Sequence, residues 1–106
     1  MLFDQAVFAG QFLGGTYGSL QVHRDGANSA SIVVLVAVIA AILLRWPGRG
    51  PVWPMFASIA LFVLIGVQIF LGYVRILTLH VPLGVAIIMI AAALAVWAWA
   101  TGRRER

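Results

Sequence analysis

The sequence predicts an all-α integral membrane protein: an antiparallel four-helix bundle with an internal two-helix repeat. Three observations carry that prediction. Hydrophobic residues make up 63% of the 106-residue chain and charged residues 9%, with a mean hydropathy of +1.06, which is far too apolar for a soluble domain. The apolar runs have the length of spanning helices, about 20 residues each. Two stretches of the chain also look like copies of one another, and each carries one of the two histidines.

The first expected span covers residues 2–22. It is the weakest of the four, because Asp4, Gln5, Gln11, Thr16, Gln21 and several glycines interrupt it. It has no charge after Asp4, however, and the repeat needs a partner for the third helix. It lacks the basic n-region and cleavage site of a secretory signal peptide. The second span is residues 30–44 with its flanks, the third 52–73 and the fourth 79–101. The turn between the second and third holds Pro47, Gly48, Gly50 and Pro51, which stop helices. The whole is one four-helix domain, 1–106, with repeat one at 1–46 and repeat two at 52–106.

Charge sets the expected topology. The net charge of +4 comes from seven arginines against Asp4, Asp25 and Glu105. Arg45, Arg49, Arg103, Arg104 and Arg106 lie towards one side, and Arg24 and Arg75 towards the other. The positive-inside rule then makes both termini and the central turn cytoplasmic, in a multi-pass protein of the cell's inner (plasma) membrane. Trp46, Trp53, Trp97 and Trp99 cluster at the same boundary, where indoles anchor at headgroup level. Such arginines at segment ends are a topology signal and not a nucleic-acid footprint. With no cysteine in the chain, thiolate metal sites and disulfides are excluded, and metal chemistry would run through histidine.

In the repeat, Gln11-Phe12-Leu13-Gly14 leads to His23 and a long apolar run, and Gln68-Ile69-Phe70-Leu71-Gly72 leads to His80 and another. Both histidines therefore fall near the outer face, at or just before the starts of helices two and four. Those helices lie across the diagonal of an antiparallel bundle, so their side chains can share one central space. Two imidazoles so placed suit haem b (iron protoporphyrin IX), with His23 and His80 as the iron ligands. Four residues after each histidine stands a small residue, Ala27 or Gly84, which would leave room for a porphyrin. Arg24 and Arg75 lie where propionates would emerge, and a guanidinium forks well onto a carboxylate. Gly10, Gly14 and Gly18 form a stripe that permits close approach, and Gly14 matches Gly72 as Gln11 matches Gln68.

Each feature also has an interfacial reading. A histidine or arginine at a membrane boundary snorkels without any ligand, and Asp25 or Asn28 could cap helix two and leave His23 in a loop. Thr78 could cap helix four, with Pro82 tolerated in its first turn.

At these residues the chain resembles one half of a haem A synthase, and also a group of small four-helix membrane proteins. The likeness lies mostly in Val67-Gln68-Ile69-Phe70-Leu71-Gly72 through His80-Val81-Pro82-Leu83-Gly84. In that family each half is a four-helix bundle whose second and fourth helices ligate haem, so the resemblance implies His23 and His80 as ligands. A full synthase has two halves and, in its catalytic half, a carboxylate on the outer side of the first helix. This chain lacks that carboxylate, and no catalytic residue is assigned. The expectation is a cytochrome-like electron carrier or haem-handling protein, with the lipid bilayer, a redox partner protein or a quinone as partners. A homodimer or a membrane-complex subunit also fits. The alternatives are a cofactor-free accessory subunit of a membrane complex, or a small dimeric multidrug transporter, which would need an acidic residue inside a span.

Overall fold

The computed structural model describes residues 2–105, and the chain forms four helices: α1 (Leu2–Leu13), α2 (Ser19–Arg45), α3 (Trp53–Tyr73) and α4 (Leu77–Arg104). Glycine ends the first. Gly15 takes φ +104°, a left-handed conformation that costs glycine nothing, and the Thr16 amide turns back to the Gln11 carbonyl at 2.8 Å. Between α2 and α3 a Cβ on Gly48 would meet the Leu44 and Leu43 carbonyl oxygens at 2.5 and 2.9 Å. That turn therefore requires glycine. Pro54 opens α3, where its missing N–H lacks no partner, and only residues 74–76 separate α3 from α4.

At 1.5 Å per residue, α2, α3 and α4, with 27, 21 and 28 residues, extend about 40, 31 and 42 Å. All three are long and apolar enough to cross a membrane, whose hydrocarbon core is about 30 Å thick. The first helix differs from expectation. Its 12 residues reach only about 18 Å, because Gly14 and Gly15 break the run that the sequence suggested from 2 to 22. The residues beyond that break join α2, which starts eleven positions before the expected residue 30.

The helices pack in chain order, α1 on α2, α2 on α3 and α3 on α4, with a slight contact from α1 to α4. Val34, Leu61, Ile65 and Ile87 form the buried core, and Leu2 packs against it. Leu61 and Ile65 lie midway along α3, so from the Gly14–Gly18 turn α1 reaches back to the middle of the bundle at Leu2. Elsewhere the surface is apolar: Ile32, Val36, Ile39, Val63, Met89 and Val96 are all exposed. Around such a surface lipid chains are as apolar as the helices, so van der Waals packing, rather than water exclusion, holds helix to helix. At the far end from the glycine turn, Trp53 and Trp97 meet edge to face, 4.6 Å between ring centroids, and Trp46 is 80% exposed.

Candidate functional site

The two histidines meet. His23 lies in the second turn of α2 and His80 in the first turn of α4. No Cα of α2 comes within 8 Å of one of α4, yet the imidazole centroids are 6.1 Å apart, with their planes at 73°. The diagonal juxtaposition expected from the repeat is thus realised, and His23 belongs to a helix and not to a loop. No side-chain hydrogen bond caps α2 or α4, so neither Asp25, Asn28 nor Thr78 serves as the expected cap. Asp25 instead accepts from Gln21 at 2.9 Å. Pro82 is the sixth residue of α4, beyond the first turn, where it denies the Thr78 carbonyl its helical donor.

A backbone carbonyl orients each ring. His23 Nδ1 lies 3.0 Å from the Gln5 carbonyl oxygen, and His80 Nδ1 lies 2.9 Å from the Gln68 carbonyl oxygen. A carbonyl can only accept, so Nδ1–H donates in both cases. In the neutral ring this leaves Nε2 with its lone pair. Such an arrangement fixes the tautomer of metal-bound histidines in general.

The partner of Gln68 in the repeat is therefore Gln5 and not Gln11, whose Oε1 accepts from the Ser19 hydroxyl at 3.0 Å. Gln5 and Gln68 also resemble one another in their side chains. The Gln5 amide fills the place of a Cβ on Gly26, and the Gln68 Nε2 lies 2.8 Å from where a Cβ on Gly84 would stand. Among the described residues, the Oε1 atoms of both amides are buried without a hydrogen-bond partner. Gln68 Nε2 donates to the His80 carbonyl at 2.7 Å. Sequence reasoning missed Gln5, although a glutamine facing a glycine soon after each histidine was a readable signal.

Several expected contacts are corrected by this geometry. The space beside Gly84 holds the Gln68 amide, so it is not open porphyrin room. On α2 the facing residue is Gly26 and not Ala27, whose carbonyl accepts from Ser31 at 3.0 Å. Gly14 sits in the turn, where a Cβ would meet only the Gly10 and Gln11 carbonyls. Its supposed equivalent Gly72 instead seats the His80 ring, with Cε1 3.1 Å from a Cβ position there. A Cβ on Gly10 or Gly18 would meet nothing within 4 Å, so those glycines pack against no neighbouring helix. Arg24 lies over the Tyr73 ring at 5.5 Å and ties the start of α2 to the end of α3. Arg75, at φ +60°, turns the chain from α3 into α4.

The pair places two imidazoles edge to face, 6.1 Å between centroids. Among the described residues no group of three or more His, Cys, Asp or Glu side chains could hold a metal ion. A porphyrin would need the Gln5 and Gln68 amides to swing from their glycine seats. No family model, no curated protein and no solved structure matches the chain.

Proposed function

We propose that this is a membrane-embedded haem b protein serving electron transfer or haem handling, in which His23 and His80 would hold the iron towards the outer leaflet. One observation carries the reading: the only two histidines, from opposite corners of the bundle, lie 6.1 Å apart with each Nδ1 engaged by a carbonyl and each Nε2 left as the ligating atom. When bound, the haem would supply a one-electron iron couple. His23 and His80 would hold it, Gln5 and Gln68 would orient the rings through their carbonyls, and Arg24 and Arg75 would pair with the propionates. Holding the iron through both imidazoles would favour electron transfer over oxygen chemistry. The arginine distribution supports a cytoplasmic central turn and C-terminus in a plasma membrane. A redox protein or a quinone would complete the circuit.

A second reading draws on the filled glycine seats. With both amides lodged beside Gly26 and Gly84, the cluster also suits a cofactor-free hydrogen-bond centre in an accessory subunit of a membrane complex. The absorption spectrum of the purified protein, expressed with haem supplied and recorded oxidised and then dithionite-reduced, separates the two. Sharp reduced α and β bands support bis-histidine haem, and no Soret band at any haem supply leaves the accessory-subunit reading.

A further inference from the structure

Among the described residues a groove runs between α2 and α4 below Leu2. Its walls are α2 and α4 and its floor is α3, at Ser58 and Leu61, with a volume of about 570 Å³. Leu2 and Phe3 stand at its upper end. The one hydroxyl in the lining is already used, since Ser58 Oγ donates to the Pro54 carbonyl at 2.6 Å. The groove thus offers an occupant no hydrogen-bonding side chain, only apolar surface.

At its lower end the character changes. Ala98 lines both this groove and a second recess formed with Trp99, Gly102 and Arg103. There the Arg103 guanidinium lies over the Trp99 ring at 5.7 Å, and Arg104 follows it. The path from Ile88 to Gly102 along α4 is about 21 Å at 1.5 Å per residue, comparable to a fatty acyl chain. A guanidinium held on an indole at headgroup depth recognises phosphate. An apolar channel that ends in a fixed cation has the polarity of one amphiphile.

We infer that this groove is a site for an anionic phospholipid, with one acyl chain between α2 and α4 and its phosphate at Arg103. The site is independent of the histidine pair and rests only on the chain lying in a bilayer. Charge complementarity points to this occupant, because an apolar groove that ends at the Arg103 guanidinium, stacked on Trp99, matches an acyl chain joined to a phosphate.

Native mass spectrometry of the full chain, released from vesicles of equal phosphatidylglycerol and phosphatidylcholine, tests the site. The expected result is one retained phosphatidylglycerol per chain, at least fivefold over phosphatidylcholine. Arg103→Gln should lower retention several-fold, and Arg49→Gln, which removes the same charge from the central turn, should not. Ala95→Phe, which fills the groove, should lower it as far as Arg103→Gln does, with circular dichroism confirming helical content. Equal retention of the two lipids, or equal losses in the Arg103 and Arg49 variants, would overturn the site. So would a dimer that Ala95→Phe dissociates, since the groove would then hold a second copy.

Discussion

Gln68 and His80 hold each other reciprocally: the His80 ring donates to the Gln68 carbonyl at 2.9 Å, and the Gln68 amide donates to the His80 carbonyl at 2.7 Å. One residue thereby fixes both the orientation of the ring and the backbone that carries it. Its strength is limited by the buried Oε1 that finds no donor. Gln68→Leu removes a hydrogen bond and an unsatisfied acceptor together, so it should change stability by no more than about 1 kcal/mol. Denaturant-induced loss of helical signal in micelles measures this, and a loss beyond about 3 kcal/mol would show that Oε1 has a bound partner.

Glycine substitutions separate the ring seat from ordinary helix surface. At Gly72 a Cβ would stand 3.1 Å from His80 Cε1, whereas at Gly66 it would meet nothing within 4 Å. Gly66→Ala should therefore stabilise by up to about 1 kcal/mol through helix propensity. Gly72→Ala should lose that gain and displace the imidazole. Thermal unfolding of both variants checks the order, and equal midpoints would contradict it.

The histidines carry the haem proposal, and His80→Ala should abolish haem retention. His23→Ala should leave at most a five-coordinate, high-spin spectrum, because one axial ligand remains. Low-spin bands at full intensity in the double variant would exclude the pair as ligands.

Arg24 and Arg75 should respond in opposite ways. Arg24→Ala removes a cation–π contact with Tyr73, a loss of about 0.5–1 kcal/mol at an exposed site, and weakens haem retention. Arg75→Gly relieves a left-handed residue and should stabilise the fold by about 1 kcal/mol, while also weakening haem retention if a propionate pairs there. Unfolding midpoints and haem titrations of the same samples separate the two effects.

The three long helices were legible in the sequence because length and hydropathy determine them. The meeting of His23 with His80 was legible because two short hairpin turns put both histidines at one end of the molecule. The hydrogen-bond partners were not. Aligning Gln11 with Gln68 follows the local string Phe-Leu-Gly, but the carbonyl that meets a histidine is chosen by depth along the hairpin. The first hairpin has longer arms and a longer turn, so its glutamine and histidine lie 18 residues apart against 12 in the second. Gln5 thereby reaches the level that Gln68 reaches from nearer its own turn. The length of α1 was obscured for a related reason. Apolar residues continue past Gly14 and Gly15, and only the left-handed Gly15 shows that the helix has ended.

That short first helix also gives the molecule a taper. Among the described residues four helices fill the cross-section at the level of the histidines and three at the level of the tryptophans. In the orientation proposed, each chain takes more area from the outer leaflet than from the inner one. Crowded together, such wedges would relax by bending the sheet they sit in, with the broad leaflet on the convex side. Copies reconstituted broad end outwards should therefore gather on small vesicles in preference to large ones, and uniform partition between vesicle sizes would mean that lipid fills the narrow end.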